Sequence, residues 1–133
     1  MRVVFDSNVY ISGLAFGGMP RQVLVLSASY NVEFFLSSMI YEEVTKVLET
    51  KLKWSTAEIN RLFGPYSLRA SWIEPSSKLK VSRDVKDNHV IELAIDANAG
   101  CIVTGDKDLL VLGRYKNIKI IKPADFLVNE LWK

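Results

Sequence analysis

The sequence has one cysteine and one histidine in 133 residues. Cys101 cannot form an internal disulfide or contribute to a multi-thiolate zinc site, so the disulfide-scaffold and zinc-finger classes are excluded. A reducing, cytoplasmic setting fits. Charge of one sign is also lacking. The 17 basic and 15 acidic residues leave a net charge of +2, so a broad basic footprint for nucleic acid is not expected and any such contact must be local. Long apolar runs are missing too. The longest uncharged stretch, Ser7 to Pro20, is too short to span a bilayer and carries three glycines and a proline. The Leu24 to Ser29 segment looks like the end of a signal peptide, but Asp6 and Arg21 interrupt the apolar stretch a signal needs. No repeat or low-complexity linker divides the chain.

What is present is enough apolar material for a core. Hydrophobic residues make up 49% of the chain, and a chain of this size buries roughly two-thirds of its unfolded surface. One domain over residues 1–133 is expected. Short apolar runs alternate with helical patterns. Val3 to Phe5 reads as a strand ending at Asp6, and Val32 to Leu36 as a second. Ser37 or Ser38 caps a helix with Ile40, Val44, Val47 and Leu48 on one stripe. Ser55 and Glu58 form a capping-box pattern ahead of Ile59, Leu62, Phe63 and Tyr66, and Gly64-Pro65 predicts a break there. Phe16-Gly17-Gly18 reads as a glycine loop. Ser71 to Ile73 is a short edge strand, and Ser76 to Lys86 a polar loop.

Asp87 then heads a helix with Val90, Ile91, Ala94 and Ile95 inward and Gly100 past its end. Cys101 to Thr104 is a strand, followed by a short helix from Asp106 to Leu112. Ile118 to Ile121 is the last strand, and Pro123 opens a terminal helix. Alternation of this kind predicts an α/β fold, a parallel sheet with helices on both faces. Working sites in such sheets lie beyond the carboxyl ends of the strands.

Acids occupy those ends. Asp6 follows the first strand and Asp106 the fourth, with Asp108 two residues on. Glu43 lies on the helix after the second strand, and Asp87 heads the helix leading into the fourth. Two carboxylates about 5 Å apart repel by about 3 kcal/mol at an effective dielectric of about 20. Protonation or a bound divalent cation would relieve such a cluster. Oxygen donors without histidine or thiolate favour Mg2+ or Mn2+ over zinc, and such an ion suits phosphodiester hydrolysis. Each acid also has a plainer reading. Asp6, Asp87 and Asp106 suit helix caps, and Glu42-Glu43 suits a solvated helix face.

Four segments carry a family resemblance: Val4-Phe5-Asp6-Ser7-Asn8-Val9, Glu43-Val44-Thr45-Lys46-Val47-Leu48, Asp87-Asn88 with Val90-Ile91-Glu92-Leu93-Ala94, and Val103-Thr104-Gly105-Asp106-Lys107-Asp108-Leu109-Leu110. Together and in this order they resemble the PIN-domain nucleases, most of all the small prokaryotic VapC-like toxins of toxin–antitoxin pairs. The resemblance implies a three-layer α/β/α sandwich with a parallel sheet in the order 3-2-1-4-5. It implies a Mg2+- or Mn2+-dependent ribonuclease whose four acids map onto Asp6, Glu43, Asp87 and Asp106. Asp6 and Asp87 would be the most direct metal ligands. Glu43 and Asp106 would complete the shell, bind a second ion or orient the attacking water. Asn8, Thr104 and Asp108 would support them. A homodimer and a small antitoxin partner are implied as well.

Lys86 and Lys107 are candidates for RNA phosphate contacts, which position a strand without reading it. His89 lies two residues past Asp87 and on helical spacing is expected to face elsewhere, so it is not taken as a general base. Receiver-type phosphoacceptor domains also gather acids at strand ends, and Lys122 after the last strand resembles their lysine. A PIN relative that cuts DNA, or one without catalysis, is a further alternative.

Overall fold

The structure is a computed structural model, and it describes residues 1–30, 32–76 and 88–131. The elements run β1 (Arg2–Phe5), α1 (Ser7–Ala15), α2 (Gly18–Ser29), β2 (Glu33–Leu36), α3 (Ser38–Thr50), α4 (Thr56–Leu62), α5 (Gly64–Arg69) and β3 (Ser71–Trp72). They continue with α6 (Asn88–Asp96), β4 (Cys101–Val103), α7 (Lys107–Leu110), β5 (Arg114–Tyr115), β6 (Ile118–Ile121) and α8 (Pro123–Phe126). A π-helical turn over Leu127–Leu131 follows α8. Among the described residues no single helix is long and apolar enough to cross a membrane.

The strands form one sheet in the order β3-β2-β1-β4-β6-β5. The five strands foreseen from the sequence are mutually parallel and stand in the expected 3-2-1-4-5 order. The sixth, β5, was not foreseen. It pairs antiparallel with β6 across a tight turn in which Lys116 takes a left-handed conformation (φ 52°). Two residues with no apolar alternation carry no strand signal; the turn to β6 makes the pairing.

Val3, Val4 and Phe5 of β1 have no exposed surface, as befits a central strand covered on both sides. Burial of such side chains stabilises the fold by about 2 kcal/mol each. They belong to one continuous apolar cluster that also takes in Phe34 and Phe35 of β2, Ile40, Val44 and Leu48 of α3, and Ile91 and Leu93 of α6. Cys101 is part of the same core, and burial pushes its thiol up to about 12, in keeping with a small hydrophobe.

Local signals place most helix ends. The Ser37 hydroxyl accepts from Ile40 N–H at 3.3 Å. Ser55 and Glu58 form the reciprocal capping box: Glu58 N–H donates to Ser55 at 3.1 Å, and Ser55 N–H to Glu58 at 2.9 Å. The predicted break separates α4 from α5, with proline in the first turn of the latter.

Two expectations fail. The helix before β4 ends at Asp96, and the left-handed residue after it is Asn98 (φ 53°), not Gly100; asparagine tolerates that region when glycine is not at hand. Leu93 rather than Ile95 is then fully buried. The glycine loop is also shorter than read, because Gly18 already begins α2. That helix buries only Val23, Leu24 and the polar Ser27, which is why its pattern gives no helix signal. Tertiary contact holds it. Arg21 donates from Nε to the Gly13 carbonyl at 2.8 Å and from Nη2 to that of Leu14 at 3.2 Å, tying α2 to the end of α1.

Close approach of the two helices requires the absence of a side chain at Gly13. A Cβ there would stand 2.8 Å from Leu24 Cδ1 and 3.1 Å from the Pro20 backbone. Overpacking of this kind costs about 1 to 3 kcal/mol, and the helix-propensity gain of alanine returns about 1 kcal/mol. Gly13→Ala is therefore expected to lower stability by about 1 kcal/mol in urea denaturation; a gain in stability would mean that α2 is free to move outward.

Candidate active site

β1 and β4 are neighbours, with Phe5 opposite Val103. The pairing continues one step further, since Asp6 N–H donates to the Val103 carbonyl at 2.9 Å. Asp6 and Thr104 thus leave the same edge of the sheet side by side, although 98 residues separate them. Thr104 donates its hydroxyl to Asp6 Oδ2 at 2.8 Å. Asn8, the second residue of α1, donates Nδ2 to the same oxygen at 2.9 Å and to Thr104 Oγ1 at 3.3 Å. Its other end accepts Gly105 N–H at 3.0 Å, which fixes the orientation of the amide. Ser7 N–H donates to Asp6 Oδ1 at 2.8 Å, so the capping role foreseen as the plainer reading is real and coexists with the cluster.

Asp106 joins through its backbone: its N–H donates to Thr104 Oγ1 at 3.0 Å. Its carboxylate caps α7, with Oδ1 accepting Asp108 N–H at 2.8 Å. The structure thus brings Asn8 and Thr104 together on Asp6. Lys107 is exposed at the start of α7.

Asp6 retains only 5% of its surface. Burial raises its pKa above the ordinary 3.8, and the neighbouring Glu43 charge adds to this; the Thr104 and Ser7 hydrogen bonds and His89 pull the other way. Desolvation outweighs these donors, so the buried site disfavours the ionised carboxylate.

Glu43 projects from α3 with its side chain 38% exposed, while Glu42 beside it faces solvent. His89 is the residue the sequence reading misplaced. Its side chain is 9% exposed, and Nε2 lies 3.3 Å from both Glu43 carboxylate oxygens. The helical-wheel comparison with Asp87 says nothing about which side of α6 meets α3, and that packing decides the matter. A lone histidine amid the buried Asn88, Val90 and Ile91 was the available signal. Asp87 and Lys86 lie outside the described residues. Among the described residues no three of His, Cys, Asp and Glu stand close enough to hold an ion. The donor chemistry nevertheless fits a hard cation: Asp6 is a buried, desolvated carboxylate, and Glu43 Oε1 is buried without a hydrogen bond. A cavity of about 620 Å³ lies elsewhere, between α2 and the α4–α5 pair, and contains none of these acids.

The family model described as PIN domain matches residues 2–108. The chain belongs to the PIN-domain family. This is a family of nucleases, and membership speaks against the receiver-type alternative. A comparison with curated protein sequences finds no match. Among solved structures, the chain is similar in fold to one described as VapBC2 from Rickettsia felis bound to a DNA fragment from their promoter. The identity is 18%, the TM-score 0.63, and the alignment covers 92% of this chain and 98% of that one.

The raised Asp6 pKa has a defined consequence. The native state holds its proton to higher pH than the unfolded chain, so stability falls as pH rises from about 3.8 through the native value. Carboxyl-carbon NMR titration of the metal-free protein is expected to place Asp6 above 3.8. Thr104→Val, which removes a hydrogen bond to the ionised form, is expected to move it higher still. An Asp6 that titrates below 3.8 would contradict the desolvated site.

Proposed function

We propose that the protein is a divalent-metal-dependent endoribonuclease, hydrolysing RNA phosphodiester bonds at the acidic edge of its sheet. The observation that carries this reading is Asp6, a buried carboxylate fixed by Thr104 and Asn8 at the joined ends of β1 and β4 in a chain of a nuclease family. The whole chain is read as a single PIN domain.

Asp6, Glu43, Asp87 and Asp106 are the residues that would hold Mg2+ or Mn2+, with Asp6 and Asp87 as the most direct ligands. When bound, such an ion supplies charge stabilisation on the phosphoryl oxygens and a lowered pKa for water. The chain's own residues supply the rest. Thr104 and Asn8 hold Asp6 Oδ2 from two directions, so the carboxylate meets its ligand without reorganising. Thr104 receives Asp106 N–H on the same hydroxyl, locking the Gly105 turn that carries Asp106 and Asp108. Glu43, more exposed than Asp6, would complete the shell or orient the attacking water. Lys107 at the rim, and Lys86, are suited to phosphate contacts.

The toxin role in a toxin–antitoxin pair is part of the same proposal. It is supported by the likeness in fold to a chain of a VapBC complex. A homodimer, a small antitoxin partner and a cytoplasmic location go with it.

Incubation with defined RNAs in Mg2+, Mn2+ or chelator tests the reading. Cleavage is expected with either metal and none with chelator, and Asp6→Asn and Asp87→Asn are each expected to reduce it to background while remaining folded. Cleavage that survives chelation or either substitution would overturn the assignment. Parallel DNA substrates separate ribonuclease from deoxyribonuclease activity.

A further inference from the structure

The contact between α3 and α6 gives His89 a task that the acids alone do not describe. Glu43 reaches the site on a side chain with three rotatable bonds and, unlike Asp6, has no hydroxyl, amide or backbone donor holding it among the described residues. What stands against it is the imidazole of His89, with Nε2 3.3 Å from both carboxylate oxygens. An ionised carboxylate only accepts, so the nitrogen that faces it must carry the proton. The ring itself is positioned firmly, for it is almost wholly buried on a helix packed against β1, β2 and β4. Both groups lie within electrostatic reach of Asp6. A rigid donor on one helix thus aims a flexible acid on another toward the carboxylate at the end of β1.

Resting on the nuclease reading, we propose that His89 is a positioning residue, holding Glu43 in the orientation in which it can help bind a divalent cation. Histidine contributes here as a hydrogen-bond donor behind the ligand and not as a ligand or a general base. Partners of this kind are worth about 10- to 100-fold in metal affinity.

The test uses the metal-free full chain titrated with Mn2+, with free ion followed by electron paramagnetic resonance. His89→Ala, His89→Asn and His89→Gln are compared with the parent and with Glu43→Gln, alone and combined with His89→Ala. Gln can bring an amide N–H near the position of Nε2, and Asn is too short. His89→Ala and His89→Asn are expected to weaken Mn2+ binding about tenfold, and His89→Gln to restore most of it. In the Glu43→Gln background His89→Ala is expected to add no further loss, because the two act through one contact. Parent-like affinity in both His89→Ala and His89→Asn would overturn the proposal, as would an equal loss in the Glu43→Gln background. Should His89→Ala fail to fold, the comparison of Asn with Gln decides: equal affinities overturn the proposal and a difference in favour of Gln supports it. A parent that binds Mn2+ while the His89 variants match it refutes this inference alone. A parent that binds no Mn2+ refutes the nuclease reading as well.

Discussion

The pairing of β1 with β4 is the constraint on which the rest depends. Two strands nearly a hundred residues apart run parallel and end together, so the first residue beyond each is delivered to the same place. Those residues are an aspartate and a threonine, and the threonine hydroxyl donates to the aspartate. A carboxylate this deeply buried is costly to ionise, and among the described residues Thr104, Asn8 and the Ser7 N–H are the groups that donate to it. Asn8 and the Gly105 turn are then organised around the pair, each with its amide or N–H committed. The edge of the sheet is thereby held in place where a cation would be needed.

Rigidity falls off away from that point. Asp6 and Thr104 belong to strand ends anchored in the core. Asp106 sits on a short helix and spends one oxygen capping it. Glu43 depends on the packing of two helices and on a single imidazole contact. The site is graded, with a fixed centre and acids whose geometry is set by successively weaker restraints. Such an arrangement leaves room for substrate and ion to complete the constellation, as open carboxylate sites commonly do.

Much of this was legible in the residues. Strand β1 announces itself by an unbroken β-prone run closed by Asp6, and the α4 capping box by Ser55 and Glu58. The parallel order follows from strand–helix alternation together with the family's motifs. The PIN resemblance rested on four segments taken together, and the family match over residues 2–108 covers all of them but Leu109 and Leu110. What escaped did so for tertiary reasons. Helix α2 is held by Arg21 and a missing side chain at Gly13 rather than by an amphipathic pattern. Strand β5 exists only through its turn to β6. His89 was misread because a helical wheel gives directions within one helix, whereas its partner stands on another. Asp87, legible as a motif residue, lies outside the described residues.

The central claim is that the buried Asp6 carboxylate is held at the end of β1 to meet a cation. Thermal denaturation at neutral pH, with and without millimolar Mn2+, tests it most directly, since a ligand that binds only the native state raises the midpoint. The parent is expected to melt higher with the metal, and Asp6→Asn to melt at the same temperature in both conditions. A parent indifferent to Mn2+, or an Asp6→Asn variant stabilised as much as the parent, would contradict the account.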